Sequence, residues 1–425
     1  MRVCHYEDRR VVADLEPLAL TRPVFDLLCG QDSLADKQTR HFQASARAAV
    51  VRPYLAEVVR QQSPGLAVND LGRLDAGLIV VVNGRWLPPA VAADLSRPCV
   101  GLVGDEPAYA VVDAASFTAR TPEAVEEQME KWKTTLPCRT AGGRLFRRLW
   151  EIVSHNADQI VADDEAAVHK KEGAPPAILP AVIGPRKRLH VHHSARIDPF
   201  VAADMTGGPV VIGPDAVVTA FTRLEGPCVI GPRTQVHGAK VRAGTTLGPD
   251  CRIGGEVEAS IVQGRSNKYH DGFLGHAYLG EWVNLGAGTQ NSDLRNDYGE
   301  ASVFVNGRLV RTGQTKVGCF LGDHTKTAVG VLLNTGTSAG AFCNLLPGGL
   351  LPRRLPSFAR CLDGRLLNNG DPETLLKTAA KVMARRGVEL TPAHAALYRA
   401  VFDETDEERR AALYDAERRA LRRGA

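Results

Sequence analysis

The chain has 425 residues, more than one hydrophobic core commonly serves, which predicts two or three domains. Its 44% hydrophobic and 24% charged residues are the proportions of an ordinary globular protein. A net charge of +4 over this length is too small to indicate a nucleic-acid-binding protein. No apolar run approaches the roughly 20 residues that cross a bilayer, so we expect no membrane-spanning segment.

The cysteine pattern indicates the redox environment. Nine cysteines are scattered along the chain without a Cys-x-x-Cys pair, which favours neither a zinc site nor a disulfide framework. Reduced thiols are typical of a cytosolic protein. The first eight residues also lack the apolar stretch of a signal peptide. We therefore predict a cytoplasmic protein.

The first part of the chain alternates strand and helix patterns. Residues 78–82 form an apolar run that ends at Asn83-Gly84, and they predict a buried strand, with further short strands at residues 98–103 and 109–112. Thr121 followed by Pro122 is a helix-start signal. This alternation predicts an α/β domain over residues 1–175, which ends in a linker at residues 170–176.

The middle of the chain repeats with a period of six residues. The repeated positions are Ile212, Val218, Leu224, Ile230, Val241, Leu247, Ile253, Phe273, Leu279, Leu285, Leu321, Thr327, Leu333, Ala339 and Leu345. One inward aliphatic side chain every six residues is typical of a coil with three short strands per turn. We predict a parallel β-helix of hexapeptide repeats over residues 176–355. A glycine-rich β-sandwich is the alternative, but a sandwich has no reason to keep this period.

Two further elements accompany the coil. Residues 291–316 interrupt the repeat, and Asn306-Gly307 between β-prone runs predicts an inserted hairpin. Residues 356–425 form the third predicted part. There, Asp371-Pro372 and Thr391-Pro392 are start signals for helices in a C-terminal helical segment.

Residues 270–289 carry the most specific pattern, with a histidine, then Phe-Leu-Gly, then Val-Asn-Leu-Gly-Ala-Gly-Thr. The pattern resembles the acyltransferase half of the bifunctional N-acetylglucosamine-1-phosphate uridyltransferase/glucosamine-1-phosphate acetyltransferase family. The resemblance implies a left-handed coil, a homotrimer with sites between adjacent coils, His270 as catalytic base, and Asn284 in contact with substrate and acetyl group. Phe273 stands where the family has a tyrosine, and Glu258 where a lysine is expected.

The chemistry implied for the coil is acyl transfer from acetyl-coenzyme A. A neutral histidine takes a proton from an attacking amine or hydroxyl, which then attacks the thioester. Asn284 or backbone N–H groups stabilise the oxyanion. We predict that Gly286, Ala287 and Lys326 contact acyl-coenzyme A. His276 and His324 are further candidates for ligand contact.

The N-terminal part has its own resemblance. Leu15-Glu16-Pro17-Leu18-Ala19-Leu20-Thr21-Arg22-Pro23 is followed by Gly30 and Lys37, and later by Asn83-Gly84 after a predicted strand. This order resembles a divergent branch of the sugar-phosphate nucleotidyltransferases that is fused to the same kind of coil. The resemblance implies that Thr21, Arg22, Lys37, Asn83 and Gly84 bind the nucleotide and the sugar phosphate.

Nucleotidyl transfer requires cations and a divalent metal, Mg²⁺, around the phosphates. Arg22 and Lys37 could supply the cations, although Arg22 could instead be a turn residue held by salt bridges. The related enzymes have a Gly-rich loop before Thr-Arg and a metal-binding aspartate where this chain has Asn83. Because asparagine brings no charge, the metal ligands stay open. The alternatives are Asp70, Asp75, Asp105 and Glu106.

The sequence leaves three functional hypotheses. The first is a sugar 1-phosphate nucleotidyltransferase that uses a nucleoside triphosphate, fused to a coil that acetylates an amino sugar phosphate. The second is an acyltransferase whose N-terminal domain binds a nucleotide sugar without catalysis. The third is a non-catalytic trimeric scaffold.

Overall fold

The structure is a computed structural model that describes residues 1–70, 77–90, 95–167 and 176–423, and the side chains up to residue 418. Asp75 and the predicted linker, apart from Pro176, lie outside the described residues. No helix within the described ranges is long and apolar enough to cross a membrane.

The N-terminal domain is an α/β domain. Its strands are β1 (Arg2–Tyr6), β2 (Leu28–Cys29), β3 (Asp32–Ser33), β4 (Ala46–Val50), β5 (Ala67–Val68), β6 (Leu78–Asn83), β7 (Trp86–Leu87), β8 (Cys99–Val103), β9 (Glu106–Asp113), β10 (Cys138–Thr140) and β11 (Arg144–Leu145). Its helices are α1 (Arg9–Val12), α2 (Leu34–His41), α3 (Ala56–Gln62), α4 (Pro122–Thr135) and α5 (Leu149–Ala166). Short 3₁₀ turns cover Ala13–Leu15, Leu18–Leu20, Val24–Asp26, Pro53–Leu55 and Ala114–Ser116.

Seven strands form one mixed sheet in the order β10-β8-β9-β6-β1-β4-β5. Every strand runs in the same direction except β9, which is antiparallel to β6 and β8. The chain passes from β1 outward to β4 and β5, and then returns to the other side of β1 as β6. The topological switch point of the sheet therefore lies between β1 and β6.

The predicted strands and the helix start are present in this domain. The apolar run at 78–82 is the buried centre of β6, since burying both faces requires apolar residues throughout. Helix α4 begins where Thr121 accepts a hydrogen bond from the backbone N–H of Ala124. Its Val125, Met129 and Trp132 cover one face of the sheet.

The second part is a parallel β-helix. Its strands, with those of the inserted and terminal hairpins, are β12 (Ala181–Ile183), β13 (Leu189–Val191), β14 (Arg196–Ile197), β15 (Ala202–Asp204), β16 (Val210–Ile212), β17 (Val217–Val218), β18 (Arg223–Glu225), β19 (Cys228–Ile230), β20 (Gln235–Val236), β21 (Lys240–Val241), β22 (Thr245–Leu247), β23 (Arg252–Ile253), β24 (Glu256–Glu258), β25 (Ile261–Gly264), β26 (Asn267–Lys268), β27 (Phe273–Gly275), β28 (Tyr278–Glu281), β29 (Gln290–Asn291), β30 (Ser302–Val305), β31 (Arg308–Arg311), β32 (Phe320–Leu321), β33 (Lys326–Thr327), β34 (Leu332–Leu333), β35 (Ser338–Ala339), β36 (Asn344–Leu345), β37 (Arg354–Leu355), β38 (Ala359–Leu362) and β39 (Arg365–Asn368). A 3₁₀ turn covers Arg186–Arg188.

The coil has three flat faces. Face one contains β12, β15, β18, β21, β24 and β27, and face two runs from β13 through β28 to β37. Face three contains β14, β17, β20, β23 and β26, continues through Asn284 to β33 and β36, and reaches β38. Every pairing between coil strands on these faces is parallel, as the repeat predicts.

One position of the predicted repeat is wrong. Leu274, not Phe273, points into the coil, because Leu274 pairs with Val257 and is 1% exposed. Phe273 pairs with Glu256 on the outer surface and is half-buried. The corner between β27 and β28 has only two residues, His276 and Ala277, so the next inward leucine, Leu279, comes five positions after Leu274 rather than six.

Lys268 occupies an inward position that the repeat reserves for aliphatic residues. It pairs with the inward Ile253 and is 2% exposed, and its Nζ donates to the carbonyl oxygen of Gly254 at 3.0 Å and to that of His270 at 2.5 Å. Burial lowers the pKa of Lys268 to about 8. The lysine therefore holds the corner that carries His270 by backbone contacts.

The buried Lys268 should give the fold a measurable pH dependence. In the unfolded chain the lysine binds a proton more tightly than in the fold, so stability should rise with pH from about 8 towards the ordinary lysine pKa of about 10.4. Between pH 7 and pH 10, the free energy of unfolding of the wild type should rise by roughly 1–3 kcal/mol more than that of Lys268→Met. Urea unfolding of both proteins at the two pH values measures this difference. Equal pH dependence in both proteins would contradict a lowered pKa of Lys268 in the fold.

The predicted hairpin and C-terminal helices are present. Strands β30 and β31 pair antiparallel across Asn306-Gly307, both with positive φ, as the tight turn requires. The helices are α6 (Pro372–Ala384), α7 (Pro392–Glu404) and α8 (Asp406–Arg423). Asp371 and Thr391 cap the first two through their side chains. Helix α7 packs between the N-terminal domain and one corner of the coil.

That corner is lined by stacked rings. Trp282, His324, Phe342 and Phe358 occupy equivalent positions with positive φ in successive turns. Neighbouring rings stack with centroid distances of 6.0, 4.6 and 5.0 Å. The ring of His324 also lies 3.1 Å, Nε2 to hydroxyl oxygen, from Tyr398 of α7. This stack attaches the C-terminal helices to the coil.

Candidate functional site

The switch point of the N-terminal sheet gathers three polar side chains. Asp8 follows β1, Asn83 ends β6, and Arg85 comes two residues later. The carboxylate oxygen Oδ2 of Asp8 accepts from Nε and Nη2 of Arg85 at 3.0 and 2.8 Å, and from Nδ2 of Asn83 at 3.3 Å. In open α/β sheets, ligands bind outside the carboxyl ends of the strands at this point. The cluster is therefore the candidate nucleotide site.

More charged groups extend the cluster outward. Glu106 bridges Arg85 and Arg147, and Arg10 lies near Asp8. Burial acts to raise the pKa of Asp8, but Arg85 and Arg10 lower it below its ordinary value. Asp8 and Arg85 are 4% and 2% exposed, whereas the side chains of Arg10 and Arg147 are about half exposed. The outer arginines are thus the cations that an incoming phosphate would meet first.

The residues around Asn83 do not fit a resident Mg²⁺ site. Magnesium prefers free carboxylate oxygens, yet arginines occupy both Asp8 and Glu106. Among the residues that the structure describes, no group of three histidine, cysteine or acidic side chains is placed to hold a metal. The carboxylates of Asp8 and Glu106 are therefore engaged by arginines rather than open to a resident metal.

Position 84 requires glycine for a steric reason. Its N–H donates to the carbonyl oxygen of Tyr6 at 2.8 Å, which joins the ends of β1 and β6. A Cβ at this position would lie 2.9 Å from that oxygen and 3.0 Å from the ring of Phe25. Gly84 therefore allows the close approach that brings Asn83 and Arg85 to Asp8.

Thr21 and Arg22 lie at the contact between the N-terminal domain and the coil. The hydroxyl of Thr21 donates to Asp323 at 2.8 Å, and Nη2 of Arg22 donates to both oxygens of Asp323 at 2.6 and 2.5 Å. Burial acts to lower the pKa of Arg22, but Asp323 and Glu281 raise it above its ordinary value. The motif joins the two domains, in line with the salt-bridge alternative for Arg22.

Lys37 is paired at a different place. It projects from α2, is 4% exposed, and its Nζ lies 2.5 Å from both carboxylate oxygens of Asp163 on α5. The same carboxylate accepts from the N–H of Gln31 and from Arg40. The carboxylate thus ties α2 and the β2–β3 hairpin to α5.

The structure does not bring the five predicted nucleotide-site residues into one group. Asn83 and Gly84 lie at the switch point, whereas Arg22 and Lys37 each engage a separate buried carboxylate. The role of Arg22 and Lys37 in phosphate binding stays a prediction. Asp8 and Arg85 were not among the predicted residues, although a carboxylate directly after the first strand is a readable signal.

On the coil, His270 lies at an exposed corner between faces three and one. Its ring contacts the ring of Tyr269 at 5.1 Å and makes no hydrogen bond within the described part of the chain. Tyr269 in turn lies 4.6 Å from His237, between ring centroids, across Gly254. The imidazole of His270 is therefore accessible to a ligand, and its role as catalytic base stays a prediction.

Asn284 stands on face three beside this corner. Its Oδ1 accepts from Nδ2 of Asn267 at 3.1 Å, and its backbone bridges Asn267 on one side and Lys326 on the other. Lys326 is half-buried, its Nζ donates to the carbonyl oxygen of His324 at 2.9 Å, and burial lowers its pKa to about 8. Asn284 and Lys326 are thus neighbours on one surface.

Gly286 and Ala287 form the next corner, towards face one. A Cβ on Gly286 would lie 2.4 Å from the carbonyl oxygen of Ala328, so the stacking of successive turns already requires glycine there. The carbonyl oxygen of Ala287 accepts from the N–H of Gly330 at 2.7 Å. Their predicted contact with acyl-coenzyme A stays a prediction.

The two other candidate histidines differ in their surroundings. His276 is half-buried, with Nδ1 2.8 Å from Oδ2 of Asp293, at the corner between faces one and two. His324 is 1% exposed within the ring stack, and burial lowers its pKa well below the ordinary value. His324 therefore serves packing in this structure.

Comparison with known proteins supports a nucleotidyltransferase class for the N-terminal domain. Residues 3–172 match the family model described as "Sugar nucleotidyl transferase". The predicted resemblance of the N-terminal domain to that family is therefore confirmed.

The chain is also similar to individual proteins, and the name of one of them combines nucleotidyl transfer with acetyl transfer. The chain is similar to the bifunctional sugar-1-phosphate nucleotidylyltransferase/acetyltransferase of Sulfurisphaera tokodaii, at 34% identity over 34% of this chain and 37% of that protein. It is similar to the bifunctional protein GlmU of Synechococcus sp., at 29% identity over 36% of this chain and 28% of that protein. It is also similar to the uncharacterized acetyltransferase YaiX of Escherichia coli O6:K15:H31, at 27% identity over 40% of this chain and 76% of that protein.

The chain spans only about a third of the length of the first two relatives. The similarity confirms the predicted resemblance to the bifunctional family.

Proposed function

We propose that the protein is a sugar 1-phosphate nucleotidyltransferase that joins a nucleoside triphosphate to a sugar 1-phosphate and releases pyrophosphate. The observation that carries this proposal is the cluster of Asp8, Asn83 and Arg85 at the switch point of a domain matched by the sugar nucleotidyl transferase family model. We also propose that the chain consists of three parts: an N-terminal domain of residues 1–175, a β-helix of residues 176–355 and a C-terminal helical segment of residues 356–425.

In this reaction the protein mainly positions the substrates and stabilises their charges, and it takes little part in covalent chemistry. The sugar phosphate oxygen attacks the α-phosphorus of the nucleotide, a new P–O bond forms, and the bond to the departing pyrophosphate breaks. The exposed side chains of Arg10 and Arg147 attract the phosphates, and Asp8 orients the guanidinium of Arg85 towards them. Mg²⁺ enters with the triphosphate as part of the substrate.

Pyrophosphate release with Mg²⁺, across a panel of nucleoside triphosphates and sugar 1-phosphates, tests the proposal. Release should require both substrates. Asp8→Asn keeps the size of the side chain but removes the charge that orients Arg85, so the rate should fall by about 10²-fold. Glu123→Gln, at an exposed pair with Arg9 on the same side of the domain, is the matched control and should keep the rate. A rate in Asp8→Asn equal to that of the wild type would contradict the placement of the site.

We propose acetyl transfer as a second activity, on the coil. It is favoured by the exposed ring of His270, which makes no hydrogen bond with another described residue, and by Asn284 on the next turn of face three. The imidazole takes the proton from the amine of an amino sugar phosphate. The amine attacks the thioester carbon of acetyl-coenzyme A, an amide bond forms, and the thiol leaves. The amide of Asn284 donates to the developing oxyanion.

The assembly and location are part of the same proposal. We place the acyl-transfer sites between the coils of a homotrimer, since the resembling family builds them there, and we propose a left-handed coil for the same reason. A cytoplasmic location suits the nine cysteines, eight of which are buried. The acyltransferase-only hypothesis remains the alternative, and the pyrophosphate assay distinguishes it.

A further inference from the structure

Face three of the coil carries cationic side chains that form no ion pair with a carboxylate in the described part of the chain. Arg252, Lys326 and Arg360 project from its strands, and Arg386 reaches it from the turn after α6. None of these four cations forms an ion pair with another described residue. On the other faces and corners, by contrast, Arg223 and Arg242 are paired with glutamates.

The cations belong to one continuous ladder. Its outward positions are, in order, Arg252, Asn267, Asn284, Lys326, Asn344 and Arg360. Since neighbouring strands lie roughly 4.8 Å apart, the ladder is about 24 Å long. Three cations and three amides occupy these six positions, and none of the six is acidic. Asn284, the residue implied in acyl transfer, lies between Asn267 and Lys326.

Arg386 places a second arginine beside Arg252. Its Nη2 donates to Oδ1 of Asn267 at 2.6 Å, on the strand next to that of Arg252. Its Nε is buried and has no hydrogen-bond partner, and the same is true of Nε of Arg360. Burial, together with Arg252 and Arg385, lowers the pKa of Arg386. A buried guanidinium N–H without an acceptor is costly. An anionic acceptor bound at Arg386 or Arg360 would remove this cost.

The carboxylate of Asp250 does not fill this need. Asp250 lies close enough to influence Arg386, but both of its oxygens accept from Arg233 at 2.9 Å. The Arg252–Asn267–Arg386 cluster therefore has positive charge that no described ion pair engages, and it has hydrogen-bond donors without an acceptor.

We propose that the Arg252–Asn267–Arg386 cluster binds a phosphate group of one of the substrates of acyl transfer, and that Lys326 and Arg360 extend the site along the ladder. Two guanidinium groups on adjacent elements suit a phosphate, whose oxygens accept bidentate donors. The identity of the ligand rests on the proposed acyl transfer. A phosphate monoester on an amino sugar and the phosphates of coenzyme A share the required chemistry.

Calorimetric titration of the full-length protein tests the site without turnover. The probes are inorganic phosphate, glucosamine 1-phosphate and coenzyme A. Arg386→Gln and Arg252→Gln should each weaken binding of at least one probe by roughly ten- to a hundredfold, as expected for the loss of a charge-assisted contact. Arg386→Lys should keep part of the affinity. Weakening of glucosamine 1-phosphate alone assigns the site to the acceptor, and weakening of coenzyme A alone assigns it to the donor.

The control is Arg242→Gln, an ion-paired arginine on face one, which should bind every probe as the wild type does. Melting temperatures show whether the variants fold. The proposal is overturned if folded Arg386→Gln and Arg252→Gln bind all three probes with wild-type affinity, or if the wild type binds none of them. Because binding is measured directly, a protein that binds phosphate here but transfers no acetyl group would refute the acyl-transfer proposal and leave the site intact.

Discussion

Replacing Asp323 by alanine should lower the free energy of unfolding by about 3–5 kcal/mol, the cost of leaving one member of a buried ion pair without its partner. The change would strand Arg22, which is 9% exposed, and would remove the acceptor for Thr21. The N–H of Glu281, which donates to Asp323 at 2.8 Å, would also lose its partner. Urea unfolding monitored by tryptophan fluorescence measures the loss.

Two comparisons make this prediction specific. Arg242→Ala breaks an exposed pair with Glu258 and should cost no more than about 1 kcal/mol. The double variant Arg22→Met with Asp323→Leu replaces both charges by apolar groups and should recover most of the loss. If Asp323→Ala cost no more than Arg242→Ala, the Arg22–Asp323 pair would not hold the two domains together.

Replacing His270 by alanine should reduce acetyl transfer by roughly 10²–10⁴-fold, the range for removal of a general base. The fold should not suffer, because the ring is exposed and unbonded within the described residues. Measurement of thiol release from acetyl-coenzyme A, with an amino sugar phosphate as acceptor, gives the rate. The melting temperature reports the fold.

His276→Ala is the matched control for this experiment. His276 lies on the same turn of the coil, but at the other end of β27 and paired with Asp293. Its loss should leave the transfer rate within a few fold. Undiminished transfer in His270→Ala would remove that residue from the mechanism, and a large loss in His276→Ala alone would move the base to the His276–Asp293 pair.

Local regularities made much of the fold predictable. The period of six in the coil, the Asn306-Gly307 turn and the caps at Thr121, Asp371 and Thr391 are each set by residues close together in sequence. The one wrong inward position, Phe273, arose because a two-residue corner shifts the repeat without any change in composition.

The sites were harder to predict because they depend on contacts between distant residues. Asp8 and Arg85 are 77 positions apart and meet only because the sheet places β6 beside β1. Arg22 and Asp323 are 301 positions apart and meet only where two domains dock. The Thr21-Arg22 motif therefore indicated the resemblance to the family correctly, but the sequence did not reveal that its partner in the fold is Asp323.

The central claim is that the N-terminal domain makes a nucleotide sugar. The most direct measurement is ³¹P nuclear magnetic resonance of the products formed by the full-length protein with Mg²⁺, a nucleoside triphosphate and a sugar 1-phosphate. The account predicts equal amounts of nucleotide sugar and pyrophosphate for at least one pair of substrates, and neither product when one substrate is omitted. Folded protein that forms neither product with any pair would contradict it and leave the coil as the only catalytic part.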